Sequence, residues 1–310
     1  MNKYLVGVVI GLAVLICGIG TPAQGQAENG VPVHIVVTVE PRHGSSLPVI
    51  NREDVLVFEG HDRDKVTEWI PLQGERAGLQ FFILIDDACT NSIGTQLNDI
   101  RKFIEGQPAS AKIGVAYMQD GVARVAQDLT TDHAKAANAL RLPLGEMSAN
   151  ASPYFSVSDL VKRWPATTDR RAVLIVSNGI DPYYESGDLL DPYLDAAISD
   201  AQRAGIIVSA IYCPGVGHFG HSYWLNYWGQ LYLAELAEKT GGEAFYIGFT
   251  GMPVAFAPYL DDIAQRLNHQ YLLTFLAKPE KKAGLQAVKI KSEVPHVDLV
   301  APNRVYVPAQ

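Results

Sequence analysis

The chain has 310 residues, of which 25 are Lys or Arg and 33 are Asp or Glu, so its formal net charge at pH 7 is −8. This acidic balance disfavours a nucleic-acid partner, because binding to phosphates needs a basic surface. The length is sufficient for one large domain, or for a medium domain with a small companion.

Residues 1–27 have the pattern of a secretory signal peptide. Lys3 gives a basic start, an uncharged apolar stretch runs from Tyr4 to Ile19, and small or polar residues follow up to Ala27. We expect cleavage near Ala27 and a secreted or periplasmic protein with no stable membrane anchor after cleavage. An uncleaved anchor is the alternative, but the apolar stretch is short for a full membrane span.

Residues 28–77 are predicted to form N-terminal β-strands. Val33 to Val39 and Asp54 to Glu59 are rich in residues that favour strands, and a third candidate runs from Val66 to Leu72. These strands precede any strong helical pattern. We therefore expect a small β unit at this end of the chain.

From Leu79 onward, predicted strands alternate with predicted helices, which is typical of βαβ units and a mostly parallel sheet. Three of these strands are almost entirely apolar, which predicts burial on both faces of the sheet. They are Phe81 to Ile85, Ala172 to Val176 and Ile206 to Tyr212. The predicted fold class is a Rossmann-like, doubly wound α/β domain over residues 78–275.

Strand patterns return after the last predicted helix, and no helices separate them. They are Gln270 to Leu276, Ala287 to Ile290, Val297 to Val300 and Val305 to Val307. Strands without intervening helices do not easily extend a parallel sheet. We therefore expect residues 276–310 to pair with the N-terminal strands in a small flanking antiparallel β unit built from both chain ends.

Polar residues follow two of the apolar strands directly. Asp86, Asp87 and Thr90 come after the first, and Ser177-Asn178-Gly179 comes after the second. In open α/β sheets, ligands bind at the carboxyl ends of the strands. These turns are therefore the first candidates for a binding site.

Taken in order, these features resemble the von Willebrand factor type A domain, and more narrowly a secreted bacterial branch with short β segments on both sides. Other matching stretches are Asp-Leu-Thr-Thr-Asp at residues 128–132, Leu236 to Gly242 at a helix end, and Gln270-Tyr271 after the last helix. The resemblance covers about residues 78–275. It implies an α/β fold with a binding site at the carboxyl edge of the sheet.

Domains of this family are known for a metal-ion-dependent adhesion site, where a divalent cation, usually magnesium, binds a carboxylate of a partner protein. The resemblance matches Asp86 to the first aspartate of an Asp-x-Ser-x-Ser turn and Thr90 to its last serine, whereas Ala88 replaces the first serine. Ser152 is the expected ligand in the second loop, and Asn178 replaces the final aspartate. The implied adhesion site is therefore degenerate.

Two further carboxylates, Asp87 and Asp181, could compensate in part for the lost ligands. Magnesium tolerates imperfect geometry poorly, so the loss of a hydroxyl and a charge should weaken its binding strongly. We expect no cofactor and a turn that Asp86 caps through hydrogen bonds to the backbone. Magnesium binding is the alternative.

The resemblance places Cys89 and Cys213 at one edge of the sheet, separated by the strand that ends in Ser177. A disulfide requires their Cα atoms to lie within about 7 Å of each other. An oxidising compartment would permit this bond. Two buried thiols are the alternative, and the sequence leaves both open.

Several aromatic residues are expected near the same edge and are candidates for contact with a partner. They are Tyr154, Tyr183, Tyr184, Trp224, Tyr227 and Trp228. The last three share a face if their segment is helical, and Tyr and Trp are favoured at binding hot spots. Packing beneath the loop is the alternative.

The sequence contains no Gly-x-Ser-x-Gly elbow, no phosphate-binding Gly-rich loop with a lysine and no His-Glu-x-x-His pair. We therefore predict a secreted, non-catalytic module that binds a protein partner through loops at the carboxyl edge, without a metal. One alternative is magnesium-dependent adhesion. The other is a hydrolase that uses the loop carboxylates.

Overall fold

A computed structural model of the protein describes residues 30–42, 47–146, 152–184 and 191–309. The expected signal peptide at residues 1–27 lies outside these ranges and stays a prediction. Among the described helices, none is both long enough and apolar enough to cross a membrane.

The strands, in chain order, are β1 (Val31–Pro41), β2 (Val55–Glu59), β3 (Asp62–Pro71), β4 (Leu79–Asp86), β5 (Lys112–Gln119), β6 (Val122–Thr130), β7 (Arg170–Ser177), β8 (Ile206–Tyr212), β9 (Ala244–Phe245), β10 (Gln270–Ala277), β11 (Gly284–Ala287), β12 (Lys289–Ser292), β13 (Val297–Val300) and β14 (Arg304–Val307). The helices are α1 (Leu97–Glu105), α2 (His133–Asn138), α3 (Pro153–Arg163), α4 (Pro192–Ala204), α5 (Gly217–His221), α6 (Tyr223–Thr240) and α7 (Ala257–Asn268). The strands form two six-stranded sheets, one mostly parallel and one antiparallel, and β11 pairs with β14 in a separate two-stranded sheet.

The first sheet has the strand order β6-β5-β4-β7-β8-β9 and is parallel except for the β5–β6 pair. Side chains 81–86 of the central strand β4 are all buried, because helices cover both faces of the sheet. Helices α1, α2 and α7 pack on one face, and α3, α4 and α6 pack on the other. The predicted α/β fold class is confirmed.

Local sequence signals fix the ends of the two longest helices. Asp191 caps the start of α4 by accepting hydrogen bonds from two backbone N–H groups, and Gly205 ends the helix in the left-handed conformation. In α6, Ser222 accepts one such bond from the Leu225 N–H, and Gly241 ends the helix in the left-handed conformation. Each helix therefore begins near the carboxyl edge of the parallel sheet and ends near its amino edge.

The second sheet is antiparallel, with the strand order β12-β2-β3-β10-β1-β13, and it joins strands from both chain ends as predicted. The predicted end of the α/β domain at residue 275 is wrong, because strand β10 pairs within the antiparallel sheet. Leu273 and Phe275 of β10 are fully buried in the core of the antiparallel sheet. The strand therefore belongs to the flanking unit, and the α/β unit ends with helix α7.

Helix α6 touches the turn that follows β7 through two glycines. A Cβ atom added at Gly229 would lie 2.4 Å from the carbonyl oxygen of Asn178, and one added at Gly179 would lie 2.1 Å from that of Gly229. Gly179 also has φ +71°, which side chains rarely allow. Backbone contact between helix and turn therefore holds Asn178 in place.

Candidate functional site

Asp86 is the last residue of β4, and its carboxylate is buried at the carboxyl edge of the parallel sheet. Oδ1 accepts a hydrogen bond from the Ala88 N–H at 2.8 Å, and Oδ2 accepts one from the Ser177 hydroxyl at 2.6 Å. Burial raises the pKa of Asp86 to about 6, although these two hydrogen bonds favour the charged form. Asp86 thus joins the turn after β4 to the end of β7.

Asp87 forms an ion pair that sequence reasoning did not find. The Arg141 guanidinium donates to Oδ1 at 2.6 Å and to Oδ2 at 2.8 Å, and it also lies 3.7 Å from the centre of the Tyr117 ring. The Leu144 N–H donates to the same carboxylate at 3.1 Å. No local pattern connects Arg141 with a turn more than fifty residues earlier in the chain. The charge of Asp87 is therefore balanced by a fixed cation.

Asp181 and Ser152 are brought together, as a shared site would require. The buried Ser152 hydroxyl donates to Asp181 Oδ2 at 2.6 Å, and the Tyr183 N–H donates to Oδ1 at 2.7 Å. Burial raises the pKa of Asp181, and these hydrogen bonds oppose that shift. The hydrogen bond between Ser152 and Asp181 links the start of α3 to the loop after β7.

The remaining two candidate ligands also have protein partners. The Thr90 hydroxyl is hydrogen-bonded to the Ser92 hydroxyl. Asn178 Oδ1 accepts from the Ile180 N–H at 2.7 Å, whereas its buried Nδ2 has no hydrogen-bond partner in the described part of the chain. An amide nitrogen is a donor and cannot serve as a metal ligand there.

These residues fit magnesium poorly. The ion requires oxygen ligands in near-octahedral geometry, whereas Ala88 supplies no side-chain oxygen and Asp87 is already paired with Arg141. Across the described ranges, no three His, Cys, Asp or Glu side chains are grouped so that they could hold a metal ion. The arrangement is instead a network of side-chain bonds that closes the loops over the sheet edge.

Cys89 and Cys213 form a disulfide in the structure, with their Cα atoms 6.0 Å apart. The Thr90 N–H donates to the Pro214 carbonyl, and the Val216 N–H donates to the Ala88 carbonyl, each at 3.0 Å. The loops after β4 and β8 therefore run side by side across the end of β7. One strand does separate the two cysteines in the sheet order.

The six aromatic candidates for partner contact do not share one environment. Tyr154 is fully buried and donates to the Gly179 carbonyl at 2.7 Å, which corrects its assignment to a binding surface. Trp228 and Tyr184 are half-buried, and Trp228 packs edge-on against Tyr227. The exposed members of the set are Tyr183, Trp224 and Tyr227.

No family profile matches the chain, and no curated protein matches it. Similar solved structures include an aerotolerance-related membrane protein from Bacteroides fragilis, with 14% identity, a TM-score of 0.45, and coverage of 62% of this chain and 99% of that chain. The ArnB paralog VWA2 from Sulfolobus acidocaldarius has 8% identity, a TM-score of 0.37, and coverage of 89% and 74%. The SpRpn10 VWA domain has 15% identity and a TM-score of 0.33, and the match covers 60% of this chain and 93% of that chain.

The fold is decided by the strand order of the parallel sheet itself. Its central strand β4 ends in the Asp86 turn, one antiparallel strand lies at the edge next to β5, and helices cover both faces. This α/β architecture is the one that the sequence resemblance to von Willebrand type A domains implies. The sequence resemblance is thus confirmed at the level of the fold.

The carboxyl edge of the parallel sheet carries most of the large apolar side chains that the described residues expose. We call this set the apolar rim; its members are Leu142, Leu144, Tyr183, Tyr223, Trp224, Tyr227, Phe249 and Val254. In the described residues, only Val49, Val125 and Tyr306 are comparable and lie elsewhere. Sequence reasoning found three members, because aromatic type is visible in a sequence whereas exposure is not.

Proposed function

We propose that the protein is a non-catalytic module that binds a partner protein through the apolar rim, without a metal ion. The observation that supports this proposal is the concentration of exposed apolar side chains at one edge, since exposed apolar surface of this kind is typical of interaction sites. Tyr223 is 77% exposed and Trp224 is 53% exposed, and both residue types are enriched at binding hot spots. The acidic net charge also favours a protein over a nucleic acid.

The state of the carboxylates supports both the absence of catalysis and independence from metal. Asp86, Asp87 and Asp181 accept hydrogen bonds from neighbouring protein groups. A catalytic acid or base needs access to its substrate, and a metal ligand needs a free lone pair directed at the ion. Fixed internal partners are the arrangement expected of carboxylates that shape the loops.

We further propose that the protein acts outside the cytoplasm. The signal-like pattern of residues 1–27 supports this location, as does the pairing of Cys89 with Cys213, because disulfides persist mainly in oxidising compartments. The partner would then be another protein of the cell envelope or the surroundings.

The proposal is tested by affinity capture from the envelope fraction of the source organism. The bait is the mature protein, compared with a variant that carries Tyr223→Ser, Trp224→Ser and Tyr227→Ser. We expect a partner that is retained by the native bait and reduced about tenfold or more with the variant, because hot-spot aromatics carry much of the binding energy. Retention should be the same in EDTA and in magnesium.

The matched control carries Val49→Ser and Val125→Ser, which are exposed apolar residues outside the rim. Equal capture by the rim variant and this control would contradict the rim as the binding surface. Loss of capture in EDTA, restored by magnesium, would favour the cation-dependent alternative.

A further inference from the structure

One edge of β1 is left unpaired at the amino end of the parallel sheet, far from the apolar rim. Strand β10 pairs with β1 along Val31–Thr38, whereas β13 pairs with its other side only along Thr38–Pro41. Over residues 31–37 that second side has no strand partner within the described ranges. An unpaired edge presents free N–H and C=O groups to any chain that can reach it.

The register identifies the backbone groups that face this edge. The Val39 N–H donates to the backbone carbonyl of His269, next to β10, and the Arg42 N–H donates to that of His296, next to β13. Because successive residues of a strand direct these groups to opposite sides, His34 and Val36 share the direction of Arg42. Their N–H and C=O groups therefore point to the free edge. Continuing the β13 register would bring Pro302, which lacks an N–H, opposite Val36.

This edge forms one wall of a cleft of about 190 Å³. The end of α4, residues 202–205, and the β14 residues 304–306 form the other walls. The titratable side chains that line it are His34, Arg203, Arg304 and Tyr306, and no carboxylate lines it. In a chain with a net charge of −8, this is a locally basic site.

Both arginines are available to an anion. Arg304 Nε donates to Gln202 Oε1 at 3.0 Å, and its two terminal NH₂ groups have no hydrogen-bond partner among the described residues. The Arg203 guanidinium lies 5.7 Å from the centre of the Tyr306 ring. Neither arginine pairs with a carboxylate in the described part of the chain. The α4 carbonyl of Ala204, which would repel an anion, accepts a hydrogen bond from Arg171.

We propose that this cleft binds the carboxyl-terminal end of a partner polypeptide. The bound segment adds as a short strand to His34 and Val36, and its terminal carboxylate pairs with Arg203 and Arg304. Strand addition supplies backbone hydrogen bonds, and guanidinium groups form strong charge-assisted bonds with a carboxylate. A second copy of this chain fits less well, because α4 and β14 flank the edge and hinder direct pairing of two β1 strands.

The test is an NMR titration of the isotopically labelled protein with the peptide acetyl-(Thr-Val)₃, once with a free carboxyl terminus and once as the amide. We expect the free acid to shift the amide signals of His34 and Val36 and to bind about tenfold more tightly than the amide, because the amide lacks the charge. Arg203→Gln and Arg304→Gln should each weaken binding of the free acid about fivefold or more.

The control is Arg124→Gln, which removes the same charge from an exposed position on β6. Equal affinity of acid and amide would overturn the proposal, as would equal behaviour of Arg203→Gln and Arg124→Gln. Absence of shifts at about 5 mM free acid would also overturn the proposal, because the affinity would then be too weak for a specific site. Concentration-dependent shifts of the same signals without peptide, with a dimer in light scattering, would assign the edge to a second copy instead.

Discussion

Asp87 shows how a single residue can keep its expected position and have a different role. The turn after β4 places it where the resemblance suggested a compensating ligand, and the side chain is almost fully buried. Its bidentate partner Arg141 comes from the segment after α2, so the charge that would attract a cation is already neutralised. The residue type was visible in the sequence, but the partner was not.

Asp64 in β3 is a second residue whose environment, rather than its position, decides its chemistry. Its pKa is raised to about 7, mainly by burial; neighbouring Glu59 and Asp62 contribute to this rise, and Lys278 opposes it. Oδ2 is buried with no hydrogen-bond partner among the described residues. The folded protein therefore holds the proton more tightly than the unfolded chain, whose Asp64 has a pKa near 3.8.

From this shift we predict that Asp64 makes the free energy of unfolding fall as pH rises from about 4 to 7, because the folded state binds more protons in that window. Asp64→Asn removes the effect. The free energy of unfolding of this variant should exceed that of the native protein only slightly at pH 4 and by about 1–2 kcal/mol at pH 8, allowing for solvent screening. Urea unfolding at both pH values measures the difference.

The matched control for this prediction is Asp128→Asn, which removes a carboxylate from an exposed position on β6. It should show no comparable dependence on pH. A gain for Asp64→Asn that is equal at pH 4 and pH 8 would contradict the assigned pKa.

At the scale of elements, the positions of the strands were predicted better than the way in which the strands pair. The strands β4, β7 and β8 lie where their uninterrupted apolar residues placed them, because burial on both faces leaves a local signal. Helix α6 (Tyr223–Thr240) includes Trp224, Tyr227 and Trp228, whose helical state the sequence left open. The β10 segment was recognised as a strand but assigned to the wrong unit, because sequence pattern does not encode the pairing partner.

The contact of α6 with the β7 turn gives a prediction for Gly229→Ala. Alanine normally stabilises a helix interior by about 1 kcal/mol relative to glycine. Here the new methyl group would lie 2.4 Å from the Asn178 carbonyl oxygen and 2.9 Å from the Gly179 carbonyl carbon. We expect the free energy of unfolding to fall by about 2–3 kcal/mol, because backbone atoms must move to relieve the overlap.

Circular dichroism during urea unfolding measures this change. Gly251→Ala is the control, since a Cβ atom there meets no atom within 4 Å. A Gly229→Ala variant more stable than the native protein would show that the helix does not lie against the turn.

At the scale of the whole molecule, long-range connections hold the carboxyl edge together. The disulfide joins residues 124 positions apart in the chain. Ser177 is bonded to Asp86 and Ser152 to Asp181 across the same edge. The loops that carry the apolar rim are therefore positioned by a network that spans the domain.

We predict that the double variant Cys89→Ala/Cys213→Ala lowers the free energy of unfolding by about 2–4 kcal/mol, because the disulfide restricts the unfolded chain. Thermal or urea unfolding measures the loss. Treatment of the native protein with reductant should give a similar loss once the buried bond is reached. Labelling of both thiols in the native, oxidised protein would contradict the bond.

The sequence by itself determined the apolar strands, the alternation that makes the sheet parallel, the return of strands near the end of the chain, and the polar turn at residues 86–90. These features depend on periodicity and turn chemistry, which are local properties of the chain. Only the tertiary structure decided that Arg141 neutralises Asp87, that β10 completes the flanking sheet, and that the apolar rim is exposed. Each of these depends on groups distant in sequence, which packing brings together.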